Sequence, residues 1–283
     1  MKGNSIQLAE EPEVSVICNT FNHEKYIREA LQSFVMQKTN FLIEILVHDD
    51  ASTDHTGEII REYEQKYPEL IKPIYQTKNQ HSQGIPINSF QYSRVKGRYV
   101  AFCEGDDYWT DPLKLQKQYD ALETHPEVDI CVHAANRIDA QSGECLYEIK
   151  PSESDCIFEA KKAVKEGSFV ATNSYFYRST LLKNIPQFRK MQNTDYMVLV
   201  HGALRGGILY LRDNMSVYRT NVNNSWTDKM RKNADIKIKY KKRNILALRQ
   251  MDIDTNGRFR MIIIRNILIQ YIKIILLKLG LMK

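Results

Sequence analysis

The chain has 283 residues, of which 43% are hydrophobic and 26% charged, as in an ordinary globular protein. This length fits one large α/β domain or two small ones, and the lack of a repeat of fixed period argues against a solenoid. Residues 1–228 hold 25 basic and 31 acidic side chains (net −6), whereas residues 229–283 hold 15 basic and three acidic ones (net +12), which suggests an anionic partner for the second segment.

The first half of the chain alternates short apolar runs with segments of helical spacing. In chain order the pattern predicts a strand over residues 14–18, a helix over 24–36, a strand over 43–47, a helix over about 53–67, a strand over 71–75, a helix over 87–95, a strand over 99–103, a helix from Asp111 and a strand over 128–132. Such alternation is typical of an α/β fold with a mostly parallel sheet and helices on both faces.

Polar clusters close three of the predicted strands. They are residues 20–22, 48–50 and 104–107. Ligands of parallel sheets bind beyond the carboxyl ends of the strands, so three polar clusters at one edge predict a binding site there.

The third cluster, Glu104-Gly105-Asp106-Asp107, holds three carboxylates at the end of an apolar run. Neighbouring negative charges repel and raise one another's pKa, so the arrangement is unfavourable without a cation. Magnesium-type sites combine one or two carboxylates with phosphate oxygens of a substrate. The cluster therefore predicts a divalent metal, Mn²⁺ or Mg²⁺, bound together with a diphosphate. A solvated acidic turn that caps the next helix is the structural alternative.

Four blocks of sequence resemble the family-2 glycosyltransferases of the GT-A fold. The blocks, which appear in family order, cover residues 14–22, 44–54, 104–112 and 217–219. The resemblance implies an inverting enzyme that uses a nucleotide-diphospho-sugar. It also implies a GT-A domain over residues 12–226, followed by a basic amphipathic helical tail over residues 227–283.

The resemblance assigns roles to single residues. Those placed beside the donor are Thr20, Phe21, Asn22, Glu24, Tyr26, Asp49, Asp50, Glu104 and Asp106. Asp50, with Asp49, would hydrogen-bond the base or ribose, and capping of the next helix is the alternative for both. Glu104 and Asp106 match the outer positions of the family's Asp-x-Asp motif, in which the first acid faces the ribose and the later one binds the metal. Asp107 would bind or support the metal.

The catalytic base of the family is implied at Asp195, which begins an apolar helical pattern. The positive end of a helix dipole favours a carboxylate there, and a base must stay deprotonated until it takes the proton of the acceptor hydroxyl. Ordinary N-capping is the alternative. The implied acceptor is a glycan or a lipid-linked sugar in cell-surface polysaccharide synthesis, and we expect residues 134–192 to recognise it.

Two other functions stay open. The first is a catalytically degenerate protein that binds nucleotide-sugars or acts as a scaffold. The second is a sugar nucleotidyltransferase, although no glycine-rich phosphate loop follows the first strand; a dehydrogenase lacks its GxGxxG signature for the same reason. We expect no nucleic-acid partner, because the basic segment is rich in Ile and Leu and no nucleic-acid motif is visible.

The C-terminal segment 258–283 interrupts its apolar runs with Arg265, Lys273 and Lys278. As a helix it would present a wide apolar face and a narrower basic one, which is typical of an interfacial anchor on anionic lipid. Docking of this helix on its own domain or on a second subunit is the alternative.

The five cysteines are odd in number and lack CxxC spacing, so we expect neither a zinc site nor a disulfide framework. Cys18, Cys103 and Cys131 lie in apolar runs and are predicted to be reduced core residues. The histidines, His23 among them, lack paired ligand spacing, and we expect them in core or surface roles. Without an apolar leader in residues 1–13, we expect a cytoplasmic protein, with peripheral contact to the inner face of the cell membrane through residues 229–283.

Overall fold

The computed structural model describes residues 11–222, 230 and 233–281. Its strands are β1 (Val14–Thr20), β2 (Ile43–Asp49), β3 (Ile71–Tyr75), β4 (Tyr99–Phe102), β5 (Tyr108–Trp109), β6 (Ile130–Asp139), β7 (Cys145–Ile149), β8 (Cys156–Phe158), β9 (Phe176–Arg178) and β10 (Ile208–Thr220). Its helices are α1 (Ile27–Val35), α2 (Thr56–Lys66), α3 (Asn88–Tyr92), α4 (Lys114–Thr124), α5 (Ala160–Glu166), α6 (Gln187–Met191), α7 (Asp195–Ala203), α8 (Ala234–Asp254) and α9 (Arg260–Lys278).

All ten strands form one sheet in the order β3-β2-β1-β4-β9-β6-β10-β5, with β7 beside β6 and β8 beside β10. The first four strands along the chain pair in parallel, as the alternation of strands and helices predicts. The remaining half is mixed, because β9 lies antiparallel between β4 and β6. The turn between β6 and β7 is too short for a crossover, so these strands also pair antiparallel. The predicted α/β fold is confirmed: β1 to β4 pair in parallel, and so do β6 and β10 on the other side of β9.

Hydrophobic clusters cover both faces of the sheet. Along β1, Val14, Val16 and Cys18 pack on the face that carries α1, α2 and α4, whereas Ile17 packs on the other face. Successive residues of a strand point to opposite faces, so this alternation places helices on both sides. Cys103 and Cys131 are also buried, which confirms that these three cysteines belong to the core.

Several helices begin later than the sequence predicts. The first turn of α2 starts at Thr56, and α4 starts at Lys114. In both cases an aspartate lies just before the helix and accepts a backbone N–H two residues on: Asp54 from Thr56 (3.0 Å) and Asp111 from Leu113 (2.8 Å). These Asx-type turns delay the start of the helix.

The predicted boundary between domain and tail, at residues 226 and 227, lies outside the described residues, so the two-part division stays a prediction. The helices α8 and α9 pack against the rest of the chain through one face. The residues that join the core are Ala247, Leu248, Met251, Phe259 and Ile263. Of the helices that the structure describes, none has the length and apolar character to cross a bilayer.

Candidate active site

The three polar clusters predicted at strand ends lie side by side. β1 and β2 are parallel neighbours, and Thr20 faces Asp49 in their register. The backbone N–H of Asp50 donates to the Thr20 carbonyl (3.0 Å), and that of Gly105 donates to the Asn19 carbonyl (3.0 Å). Hydrogen bonds between adjacent backbones therefore fix the three clusters at one edge of the sheet.

We call residues Glu104–Asp107 the acidic turn. Its glycine passes so close to β1 that a Cβ atom at Gly105 would lie 2.7 Å from Thr20 Oγ1 and 3.0 Å from Ile27 Cδ1. Any larger residue would push the acidic turn away from the end of β1. Glycine is thus a steric requirement for the placement of Glu104 and Asp106.

Arg219, at the end of β10, holds the acidic turn in place. Its backbone N–H donates to Asp107 Oδ1 (2.7 Å), and its Nη1 donates to the Asp106 carbonyl (2.7 Å). The guanidinium also pairs with Glu29 and lies 5.0 Å from the ring centroid of Tyr26. Because Asp107 is only 2% exposed and already accepts this bond, its geometry favours the support of a metal over its ligation.

Asp106 faces the cleft beyond the strand ends, and His23 lies beside it. His23 Nε2 is 3.8 Å from Asp106 Oδ2. Within the part of the chain that the structure describes, His23 Nδ1 is buried without a hydrogen-bond partner. The structure thus places His23 beside the acidic turn, and the expectation that it is not a zinc ligand stays a prediction. Its position directly after the first polar cluster is the signal that could have revealed it.

The carboxylates of the acidic turn repel one another. Enclosure by the surrounding protein, together with the charges of Asp106 and Asp195, raises the pKa of Glu104, whose side chain stays accessible to solvent in the cleft. Burial and the charge of Asp106 raise the pKa of Asp107, and the N–H of Arg219 opposes this rise. A divalent cation would relieve this repulsion, so hard oxygen ligands around Asp106 fit such an ion. Across residues 11–222 and 233–281 no group of three or more His, Cys, Asp or Glu forms a complete ligand set, so the remaining ligands would be phosphate oxygens and water.

Asp195 occupies the first turn of α7 but does not cap it. The cap is Thr194, whose Oγ1 accepts the N–H of Met197 (3.4 Å). Asp195 Oδ2 instead accepts a hydrogen bond from Thr172 Oγ1 (3.0 Å), and its carbonyl accepts one from Tyr175 Oη (3.3 Å). The side chain of Asp195 is accessible from the cleft, and the protein around it raises its pKa, an effect that the Thr172 bond reduces.

Tyr218 lies near both Asp195 and the acidic turn. The pKa of Tyr218 is raised first by burial and then by four negative charges. These charges belong to Asp107, Glu104, Asp195 and Asp106. The structure therefore brings the predicted base and the predicted metal-binding turn together.

Tyr240, in the C-terminal helix α8, lies near Asp195. Its pKa is raised by burial and by the charge of Asp195, and its side chain lies beside Gln192 and Thr194. The sequence analysis missed this residue, because a single tyrosine in a basic run carries no recognisable motif.

Asp50 and Asp49 organise the loops that follow β2 and β3. Asp50 Oδ1 accepts the N–H of Gln80 (2.7 Å), and its Oδ2 accepts that of His81 (3.0 Å). Asp49 Oδ1 accepts the N–H of Ser52 (3.1 Å). Both carboxylates thus shape turns at the mouth of the site, and their contact with a donor stays a prediction.

The other predicted donor residues lie in the turn after β1. Asn22 has a φ of 55° and accepts the N–H of Thr53 through Oδ1 (2.8 Å). Glu24 Oε2 accepts the N–H of His55 (3.1 Å). Phe21 is half-buried between Thr20 and Asn22. These contacts join the turn after β1 to the turn after β2, and the nucleotide contacts of these residues stay predictions.

The model of the family described as Glycosyl transferase family 2 matches residues 15–185, which include the acidic turn. The chain belongs to glycosyl transferase family 2. This confirms the resemblance that the four sequence blocks carry.

Curated proteins similar to the family-2 chain include bacterial ones. An uncharacterized protein of Mycobacterium bovis is 39% identical over 217 residues, which are 75% of this chain and 60% of that protein. The chain therefore spans about 60% of the length of this relative. A putative teichuronic acid biosynthesis glycosyltransferase, TuaG of Bacillus subtilis, is 36% identical over 112 residues, which cover 40% of this chain and 42% of TuaG.

Solved structures confirm the GT-A fold of the family-2 chain. TarS of S. aureus superposes with a TM-score of 0.66 at 19% identity, covering 92% of this chain and 72% of that chain. TarS has also been solved with UDP-GlcNAc. A mannosyltransferase of Pyrobaculum calidifontis, in complex with GDP-Man and Mn²⁺, superposes with a TM-score of 0.53 at 14% identity, covering 93% and 74% of the two chains. At these identities the likeness shows the fold alone.

Proposed function

We propose that this chain is an inverting glycosyltransferase that moves a sugar from a nucleotide-diphospho-sugar to a hydroxyl of a glycan or lipid-linked acceptor. One observation carries the proposal: Asp195, on α7, shares a cleft with Glu104, Asp106 and Asp107. A carboxylate cluster that suits a metal diphosphate thus lies beside a separate carboxylate that suits a base. Direct displacement of a nucleoside diphosphate needs both groups.

The acidic turn forms the half of the site that would receive the leaving group. Asp106 would hold Mn²⁺ or Mg²⁺, and Asp107, fixed by the backbone of Arg219, would support it. The mannosyltransferase neighbour, solved with GDP-Man and Mn²⁺, supports only the use of a metal with this fold. When bound, the metal would act as a Lewis acid toward the charge that develops on the diphosphate. Glu104, at the start of the turn, would face the ribose.

Asp195 forms the half of the site that would activate the acceptor. The protein around it raises its pKa, so the carboxylate is a stronger base than a free aspartate. The Thr172 hydroxyl donates to Oδ2 and fixes the orientation of the carboxylate. Asp195 would remove the proton of the acceptor hydroxyl as that oxygen attacks the anomeric carbon, and inversion at this carbon follows from a single displacement.

We place this activity in cell-surface polysaccharide synthesis at the inner face of the cell membrane. The likeness to TuaG, a putative teichuronic acid biosynthesis glycosyltransferase, supports the first part. The net charge of +12 in residues 229–283 supports contact with an anionic membrane surface.

Release of nucleoside diphosphate from a panel of nucleotide-sugars, with Mn²⁺ or Mg²⁺, tests the proposal. We expect one donor to turn over in a metal-dependent manner and Asp195→Asn to reduce turnover by roughly 10²- to 10⁴-fold, as loss of a general base does. Asp120→Asn, on the outer surface of α4, is the matched control and should leave turnover unchanged.

Other outcomes separate the alternatives. A donor that binds with metal but does not turn over indicates a degenerate nucleotide-sugar-binding protein. Formation of a nucleotide-sugar from a nucleoside triphosphate and a sugar phosphate indicates a nucleotidyltransferase. Equal turnover in wild type and Asp195→Asn rejects Asp195 as the base.

A further inference from the structure

The outer face of α9 carries a continuous apolar stripe. Its residues are Met261, Ile264, Leu268, Ile272, Ile275 and Leu279, which are 46–78% exposed. Their spacing of three or four residues keeps them on one side of a helix, over a length of about 27 Å at 1.5 Å per residue. The opposite side of α9 is anchored on the domain, where Ile263, Ile274 and Leu277 are buried. A docked helix thus presents a second apolar face to its surroundings.

Basic residues border this apolar stripe. At about 100° of rotation per residue, Arg265 lies along one edge of the stripe and Lys278 along the other, and both are exposed. On α8, Arg249 Nη2 donates to Tyr271 Oη (3.2 Å), and the exposed Leu246 and Ile253 lie about one turn to either side of Arg249. The surface therefore combines an apolar centre with a cationic rim, as in helices that lie in the headgroup region of a bilayer.

The charge of the two helices argues against a second copy as the occupant. Residues 234–281 hold eleven basic and three acidic side chains, a net charge of +8. A symmetric contact would use the same surface on both copies and bring their cationic rims together. Anionic headgroups would instead neutralise the rim while the acyl region accepts the apolar centre.

A group of amines lies between α8 and the side of α9 that faces away from the stripe. Lys241 Nζ donates to Gln270 Oε1 of α9 (3.4 Å). Burial and the positive charges of Lys273 and Lys237 lower the pKa of Lys241, so these three amines lie close enough to repel one another.

We propose that the α9 stripe, with Leu246 and Ile253 of α8, docks flat on an anionic lipid bilayer. This inference deepens the proposed function and rests on it only for the place at the inner face of the membrane. Tyr240 of α8 lies beside Asp195, so the helix that adjoins the stripe also reaches the cleft. Docking would bring the candidate base close to the membrane, where a lipid-linked acceptor resides.

Vesicle flotation of the full chain tests this surface. We expect flotation with phosphatidylcholine vesicles that contain phosphatidylglycerol and little flotation with phosphatidylcholine alone. The variant Leu268→Glu/Ile272→Glu should lower the bound fraction roughly tenfold or more, because it places charges in the apolar centre. Leu42→Glu, which alters an apolar residue of 49% exposure far along the chain, is the matched control and should float as the wild type does.

The variant Arg265→Glu provides a second measurement that leaves the apolar centre intact. It should weaken flotation and reduce its sensitivity to salt, since it removes one cation from the rim. Nucleotide-sugar turnover in solution should persist in every variant, so loss of flotation is separable from loss of activity. A wild type that floats without turning over a donor would contradict only the proposed function.

Three results would overturn the docking surface. They are equal flotation of wild type and Leu268→Glu/Ile272→Glu, no flotation of the wild type with anionic vesicles, and a solution dimer that the double variant converts to monomer. The last result would assign the stripe to an interface between two copies.

Discussion

The two halves of the candidate site are assembled by different kinds of contact. The half around the acidic turn is fixed by backbone hydrogen bonds between adjacent parallel strands, such as Asp50 N–H to the Thr20 carbonyl. The half around Asp195 is held by side chains from separate elements, namely Thr172, Tyr175 and Tyr240. Short sequence motifs can encode the first arrangement, because each motif ends a strand. They cannot encode the second, because its parts are far apart in the chain.

This difference teaches where sensitivity to substitution should lie. In the first half, a change in one motif residue alters the backbone or the metal-binding oxygens directly. In the second half, a change in a neighbour tunes the protonation of Asp195 and leaves the backbone intact. The following predictions test that contrast, from the largest expected effect to the smallest.

Asp106→Asn should impair metal and diphosphate binding at the acidic turn. We expect turnover to fall by roughly 10²- to 10³-fold, because the variant loses charge stabilisation at the leaving group. We also expect the thermal shift produced by Mn²⁺ with a nucleoside diphosphate to disappear. Glu104→Gln is the matched control and should retain most of that shift. Equal shifts in wild type and Asp106→Asn would contradict the assignment of Asp106 to the metal.

Lys114→Met should stabilise the protein, because burial of the Lys114 amine lowers the free energy of unfolding. Lys114 lies 3.8 Å from the ring centroid of Trp109, and burial lowers its pKa to about 7. In the described part of the chain its Nζ has no hydrogen-bond partner. Between pH ~7 and ~10.4 the unfolded chain binds more protons at this site than the folded chain, so stability rises with pH over that range.

The substitution should remove this slope and raise the free energy of unfolding by up to about 5 kcal/mol below pH ~7, where the cost of the charge is complete. Urea unfolding at several pH values measures the effect. Lys117→Met, on the same helix, is the control, since an exposed lysine paired with Asp111 and Asp213 should change stability by at most ~1 kcal/mol. Parallel pH profiles for wild type and Lys114→Met would refute a buried, neutral amine.

Gly105→Ala should displace the acidic turn as a unit. The added methyl group would lie 2.7 Å from Thr20 Oγ1, and such overpacking costs about 1–3 kcal/mol of unfolding free energy. We expect weaker binding of nucleoside diphosphate with Mn²⁺ in calorimetric titrations, because Asp106 moves with the turn. Native stability and affinity in this variant would show that the turn has room to shift.

Thr172→Val should change the pKa of Asp195 and leave the backbone around it intact. The variant removes the hydrogen bond to Asp195 Oδ2, which favours the carboxylate, so the pKa of Asp195 should rise further. The base must be deprotonated, so activity at low pH should be lost at a pH about one unit higher than in the wild type. Thr172→Ser keeps the hydroxyl and should retain the wild-type profile. An unshifted acid limb in Thr172→Val would separate Asp195 from the base role.

Sequence patterns predicted the parallel strands that lead to the three polar clusters. They predicted strands over residues 14–18, 43–47 and 99–103, which the structure ends at Thr20, Asp49 and Phe102, and they identified the polar clusters near these ends. This succeeds because the alternation of apolar residues and the polar residues at strand ends are local properties. The pattern also indicated the two faces of the C-terminal helix, one of which docks on the domain as the alternative interpretation predicted.

The tertiary structure decided what local patterns do not encode. It placed His23 beside Asp106, and it made Thr194, not Asp195, the cap of α7. It inserted β9 antiparallel into the sheet and brought Tyr240 to the cleft from the far end of the chain. The physical reason is that these contacts join residues that are far apart in the sequence. The sequence by itself determined the strand-end chemistry and the family, whereas packing of distant elements determined which side chains surround the candidate base.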